Sequence, residues 1–266
     1  MAAQRIDTPD PAGLLTEWRL RPDGDAVGPT VLPVRTDDGT PAVLKVGASP
    51  REHLVLRRWG GHGAVRLLRA DPRRAAVLLE RAGSHTLESL TDVDACRVVV
   101  GLYRQLHVPA MPQLPGAPTF LRRWADDFDG LPRGAPVPHR LVSQAATLAR
   151  ELAEAPADVV VHGDLHFGNV LAATRAAWLA IAPRPVNADP CFEIAPMLWT
   201  RWDEIADDVR RGVQRRFYAL VDAAGFDEDA ARAWVLLRVV RAATQALDGE
   251  AAVLTRWVTL AKAVQD

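Results

Sequence analysis

The sequence is short of cysteine, of lysine and of long apolar runs, and each shortage excludes something. Only Cys96 and Cys191 occur in 266 residues. They lie far apart and have no metal-ligand spacing, which argues against a disulfide framework and a cysteine-bound metal. Two buried thiols in a reducing compartment are expected. No apolar run approaches the roughly 20 residues of a membrane span. The segment Met1-Ala2-Ala3-Gln4-Arg5-Ile6-Asp7 lacks the apolar stretch of a signal peptide, so a cytoplasmic location is expected. Neither sign of charge is in surplus. The 32 basic and 33 acidic residues leave a net charge of −1, which gives no general attraction to nucleic acid.

Of the 32 basic residues only Lys45 and Lys262 are lysines. A lysine kept in a chain that otherwise uses arginine marks a place where the broad planar fork would not serve. The hydrophobic share of 48% and charged share of 24% are those of an ordinary globular chain, long enough for one large domain or two small ones.

The first 80 or so residues are predicted to be β-rich. Val31–Val34 and Ala42–Val46 flank Asp37-Asp38-Gly39, a hairpin signal. Ser49-Pro50-Arg51-Glu52 predicts a helix start, with Ser49 as N-cap and Glu52 closing a capping box; Gly60-Gly61 stops the helix. Further strands are expected at Ala64–Leu68 and Ala75–Leu79, and Arg81–Ser84 as a connector. Beyond it the pattern is helical over Asp92–His107, Leu141–Ala155, Asp203–Ala224, Asp227–Leu247 and Glu250–Val264, with Met111–Pro118 irregular. One β interruption is expected: a strand at Val159–Val161, then a hairpin of Asn169–Ala173 and Ala177–Ile181 in the helical part. The fold class is therefore α+β, with residues 1–82 forming a small β-rich lobe and 83–266 a larger, mostly helical one. Ligand sites favour the cleft between such lobes.

The densest polar cluster is Val161-His162-Gly163-Asp164-Leu165-His166-Phe167-Gly168-Asn169-Val170. Asp164 and Asn169 stand five apart, the D-x-x-x-x-N spacing of kinase catalytic loops. Such chemistry needs a carboxylate to orient a hydroxyl and an amide oxygen to ligate magnesium one turn on. Two other readings compete. The stretch could be a plain polar turn, or His162, Asp164 and His166 could hold a metal. The second needs a helix, which Gly163 and the valines before it disfavour. Lys45 lies late in a predicted strand, and lysine is a standard phosphate contact. Glu52 is the acidic residue of the following helix, so it can orient Lys45 or merely complete the capping box. Lys45 as an ordinary exposed strand residue is the plainer alternative.

With these residues in view, the chain resembles the aminoglycoside phosphotransferase superfamily, most closely its streptomycin 6-phosphotransferase and hydroxyurea phosphotransferase branch. The likeness rests on His162–Asn169, Trp178-Leu179-Ala180-Ile181, Asp189-Pro190, Ala42–Val46, Trp59–Leu68 and Leu78–Arg81, and spans about residues 14–205. It implies a bilobal protein-kinase-like fold and ATP- and Mg2+-dependent transfer to a hydroxyl of a small molecule, with no nucleic acid or membrane partner. A monomer or weak dimer is expected. By the same resemblance Asp164 is the catalytic base, Asn169 a magnesium ligand, Lys45 the phosphate contact and Glu52 its orienting partner. The Glu80–Ala82 backbone reads the nucleobase, and the nucleotide loop lies near Gly24–Thr30, although no G-x-G-x-x-G occurs there. Asp189 is structural or faces the acceptor, and Glu193 and Trp202 are candidates to line the acceptor site.

The pattern breaks at one position. The family places a second magnesium-binding aspartate in an Ile-Asp-Pro segment after the hairpin; here the segment is Ile181-Ala182-Pro183. A methyl group ligates nothing, and metal charge stabilisation is worth several kcal/mol. Turnover slower by roughly a thousandfold is expected. Either the alanine is an introduced inactivating change, or the protein binds nucleotide or ligand without turnover, as a pseudokinase. Acidic clusters at Asp126, Asp127 and Asp129 and at Asp203, Glu204, Asp207 and Asp208 suit a cationic aminoglycoside, or are simply solvated helix faces. A Ser-His-Asp hydrolase is disfavoured, since no G-x-S-x-G elbow occurs.

Overall fold

The computed structural model of the protein describes residues 11–247 and 249–265. In chain order the regular elements are α1 (Pro11–Glu17), β1 (Arg21–Pro22), β2 (Val31–Arg35), β3 (Pro41–Val46), α2 (Glu52–Trp59), β4 (Leu67–Asp71), β5 (Ala76–Glu80), α3 (Asp92–Leu106), α4 (Ala117–Asp129), α5 (His139–Leu152), β6 (Val159–Val161), β7 (Val170–Ala172), β8 (Trp178–Ala180), β9 (Val186–Ala188), α6 (Ala195–Trp199), α7 (Val209–Ala224), α8 (Glu228–Gln245) and α9 (Ala251–Gln265). They pack into two compact units. One holds the described residues up to His85 together with Asn169–Arg184; the other holds Thr86–Gly168 and the described residues from Pro185 onward. The division falls inside the polar loop, between Gly168 and Asn169.

The first unit is built on an antiparallel sheet of order β1-β2-β3-β5-β4. Its core follows from alternation along β3. Ala42, Leu44 and Val46 turn inward and meet Leu14 and Trp18 of the α1 segment, with Val34, Ala76 and Leu78 of neighbouring strands. The hairpin expected in the helical part belongs to this unit instead. Its strands pair Val170 with Ala180 and Ala172 with Trp178, and Ala64 bridges to Ala180. Ala64 and Val65 are therefore spent on the hairpin, and β4 begins later than the alternation suggests.

The second unit is helical around α8, which buries Trp234, Val235, Leu236, Leu237, Val239 and Val240. A helix apolar on so many sides belongs at the centre. Asp227 caps it by accepting the Ala230 amide at 2.8 Å. The small pair β6–β9 sets Val159 against Ala188 and Val161 against Val186, so the polar loop leaves one end of the ladder and Asp189 leaves the other. Helix α4 lies where the proline-rich stretch ends. Gly116 precedes it and Pro118 sits in its first turn, so those residues start the helix. The stretch expected to be helical from Asp203 opens with two short 3-10 turns and becomes α-helix at Val209. Among the described residues no helix is long and apolar enough to cross a membrane.

Candidate functional site

In the first unit Lys45 shares a sheet face with aliphatic side chains. Opposed residues in an antiparallel ladder project to the same side, so Val31, Lys45 and Val77 form one row. Pro33, Val43 and Leu79 form the next. Lys45 Nζ donates to both oxygens of Glu52, at 2.8 and 3.0 Å. Glu52 is fully buried, and a carboxylate there needs a cation and donors. Its Oε2 also accepts the Ser49 amide at 3.0 Å. One side chain thus closes the helix start and pairs the lysine, which joins the two sequence readings. The expected N-cap geometry is corrected, however. The helix begins at Glu52, Arg51 sits in the left-handed region at φ 67°, and Ser49 Oγ donates away to Pro183 O at 2.6 Å. Gly60 ends the helix in the left-handed conformation, as expected.

The connector is fixed by arginines. Arg81 donates through Nε to Ala42 O at 3.2 Å and through Nη1 to Asp23 at 2.8 Å. The Glu80 carboxylate is committed to the Arg66 amide at 2.9 Å and to Arg175 Nε. Any nucleobase contact at Glu80–Ala82 therefore falls to backbone. Gly83 donates to Ala172 O at 2.7 Å, and a Cβ at that position would stand 2.9 Å from the same oxygen. Only glycine fits there. In the Gly24–Thr30 segment, Thr30 O accepts the Val46 amide at 2.9 Å, and Gly24 and Gly28 take positive φ.

Asn169 and position 182 are brought side by side. The Ile181 amide donates to Asn169 O at 2.9 Å, and Ser49 Oγ holds Pro183 O on the other flank. Between them Ala182 adopts φ 54°, the left-handed region, which asparagine and aspartate tolerate better than alanine. Lys45 suits a nucleotide phosphate. The donor set does not suit magnesium bound by two side chains, because that hard ion seeks anionic oxygens. Here it would meet one amide and one methyl.

In the second unit Asp164 is half-buried in a loop tied down by side chains. The His162 and Gly163 amides both donate to the Glu193 carboxylate. Glu193 is fully buried and is not placed to line an acceptor surface, which corrects the sequence expectation. Burial raises its pKa from 4.5 to about 7 against the pull of the His162 amide, the Arg238 charge and the Gly163 amide. His162 Nδ1 accepts the Asp164 amide at 3.3 Å, and His166 Nδ1 accepts the Gly168 amide at 3.1 Å. These rings shape the turn, and among the described residues no group of three or more His, Cys, Asp or Glu is arranged for a metal. Phe167 is fully buried between the guanidinium groups of Arg201 and Arg216, at 4.6 and 5.2 Å from the ring centre.

Asp189 acts as a cap, accepting the Cys191 amide at 2.7 Å. Trp202 is half-buried under Arg256, 5.0 Å from its ring centre. Three members of the acidic clusters are compensated: Asp127 pairs with Arg241 at 2.9 Å, Asp129 with Arg150, and Glu204 with Arg201 and Arg216. Both cysteines are buried and free, and burial pushes Cys96 up to about 12. Sequence reasoning missed Arg238, Arg175 and Arg216, since arginine is everywhere in this chain and spacing singles out none of them.

The family model described as aminoglycoside/hydroxyurea antibiotic resistance kinase matches residues 17–249. The chain is 41% identical over 271 residues to a streptomycin 6-kinase of Streptomyces glaucescens, covering 95% of this chain and 87% of that protein. It is 39% identical to a hydroxyurea phosphotransferase of Kitasatospora aureofaciens, covering 94% and 76%. Among solved structures, the choline kinase LicA of Streptococcus pneumoniae superposes with a TM-score of 0.60 at 13% identity, over 92% of each chain. An aminoglycoside phosphotransferase of Alicyclobacillus acidocaldarius gives 0.56 at 11%, over 99% of this chain and 96% of that one. At such identities these two speak for the fold alone, and they match the α+β kinase-like fold expected from the sequence. The chain belongs to the aminoglycoside/hydroxyurea antibiotic resistance kinase family and is a phosphotransferase of kinase-like fold.

Proposed function

We propose that the protein transfers a phosphoryl group from ATP to a hydroxyl of a small molecule, with a streptomycin-like aminoglycoside as acceptor, and that Ala182 makes this chain slow. The observation that supports it most is the Lys45–Glu52 pair, at 2.8 Å with the carboxylate fully buried. A buried carboxylate that holds one lysine ammonium on a half-buried sheet face keeps that point charge in place for a phosphate. In this reading the first unit binds nucleotide. Lys45 contacts the phosphates, the Glu80–Ala82 backbone meets the base, and Asn169 is the one side chain of the expected pair left to ligate a metal. The second unit carries Asp164, which accepts the proton of the acceptor hydroxyl as that oxygen attacks phosphorus. Asp189 and Trp202 remain candidates on the acceptor side. The proposed compartment is the cytoplasm, in keeping with two free buried thiols.

A second reading is favoured by Ala182 itself: the protein binds nucleotide without turnover. The deciding experiment measures ATP-dependent phosphorylation of a panel of aminoglycosides, streptomycin included, by this chain and by Ala182→Asp. A gain of about a thousandfold in the variant is expected. ATP binding without transfer in either protein would overturn the first reading in favour of the second.

A further inference from the structure

The loop that carries Asp164 is held by its backbone. Gly163 takes φ 83°, a conformation that glycine alone adopts readily. Around it, four polar groups of the main chain end on side chains. The His162 and Gly163 amides donate to Glu193, the latter at 3.2 and 3.3 Å to its two oxygens. The Gly163 carbonyl accepts from Arg238 Nη2 at 2.9 Å. The Asp164 amide donates to His162 Nδ1 at 3.3 Å. The peptide unit on either side of Gly163 is therefore gripped, one by an anion and the other by a cation.

The grip is closed on itself. Arg238 Nη1 donates to Phe192 O at 2.6 Å, the carbonyl just before Glu193. Its guanidinium lies 4.0 Å from the Phe192 ring centre and 5.1 Å from that of Trp199. Tyr103 Oη donates to Glu193 O at 3.3 Å, and Phe192 packs edge-on against buried Trp234 at 5.5 Å. So α8 and the turn before α6 hold the loop and each other. A buried anion, Glu193, and a half-buried cation, Arg238, stand in mutual compensation, the condition under which the anion can be kept out of water.

We propose that Glu193 and Arg238 are positioning residues that clamp the peptides flanking Gly163 and thereby fix the direction of the Asp164 carboxylate. The proposal rests on the reading of Asp164 as proton acceptor. Neither residue touches a reacting atom; each acts through the main chain of the loop. Misplacing a reactive group by about 1 Å lowers rate on the order of a hundredfold, so loosening the clamp lowers kcat and leaves nucleotide binding in the other unit alone.

The test uses the full chain with Arg238→Met, Glu193→Gln and the conservative Arg238→Lys, which keeps a cation if either of the others fails to fold. Hydrogen–deuterium exchange is followed on peptides covering residues 160–166. Transfer kinetics are measured in the Ala182→Asp background with ATP and streptomycin. Expected is exchange at least about tenfold faster in that stretch for Met and Gln, with Lys intermediate. kcat should fall about a hundredfold with KM for ATP within about threefold. Unchanged loop exchange in folded Arg238→Met would overturn the clamp, and so would a rise in acceptor KM at constant kcat. Faster exchange in a background that phosphorylates nothing would support the clamp and count against the phosphotransfer reading.

Discussion

Glu193 and His107 should give the protein two opposed dependences of stability on pH that nearly hide each other. Burial lifts the Glu193 carboxyl from 4.5 to about 7. Between those values the folded chain holds a proton that the unfolded chain has released, so stability falls as pH rises. Burial lowers the His107 imidazole from 6.5 to about 4. Between those values the unfolded chain holds a proton that the folded chain lacks, so stability rises with pH. Each displacement corresponds to roughly 3 kcal/mol. The two cancel over most of the range from 4.5 to 6.5, leaving a shallow fall toward pH 7. The groups facing this pair are Tyr103 on α3, Asp164 in the loop and Arg238 on α8. His107 Nε2 lies 3.9 Å from Glu193 Oε1 and is buried without a hydrogen-bond partner.

Single substitutions separate the two. Glu193→Gln removes the falling contribution, so its stability should climb by roughly 3 kcal/mol from pH 4 to 6.5. His107→Gln removes the rising one and should lose a similar amount between pH 4.5 and 7. The assay is urea unfolding followed by circular dichroism at fixed pH values from 4 to 8. Differences between variant and parent are taken, so that all other titrations drop out. Difference curves flat with pH in both variants would refute the reasoning. Activity should run the other way from stability, because the ionised Glu193 carboxylate holds the two loop amides more strongly than the neutral acid does; kcat is expected to rise through pH 7.

Two further outcomes follow from the first unit. Lys45→Met leaves Glu52 fully buried without its cation, and denaturant titration should show a loss of about 3–5 kcal/mol. Adding Glu52→Leu should recover much of that loss, while ATP binding by isothermal titration stays abolished in both. Ala182 stands at φ 54°. Ala182→Gly should therefore raise stability by up to about 1 kcal/mol, and the β-branched Ala182→Val should lower it, both measured as shifts in Tm.

Much of the architecture is legible because its signals are local. Asp37-Asp38-Gly39 marks the β2–β3 turn, alternation fixes which face of β3 is buried, and the capped, periodic stretches of α3 and α8 identify themselves. The D-x-x-x-x-N loop is equally plain, since its chemistry depends on residues five apart. Helix α4 was not among the expected helices, because Pro115-Gly116-Ala117-Pro118 serves equally as a breaker and as a helix entry.

By itself, the sequence determined the residue types that the proposed chemistry needs: one strand lysine, one helix glutamate, Asp164, Asn169, and a methyl where a carboxylate was expected. Tertiary structure decided which carboxylates are available to a ligand. Glu193 looks like any acidic residue after Asp189-Pro190, yet it is buried and spent on two loop amides. The acidic clusters of α4 and the α7 approach look like a cationic binding face, yet arginines distant in sequence compensate several of their members. The physical reason is that desolvation and ion pairing depend on neighbours brought together from α8, α5 and the loop. No window along the chain contains them all.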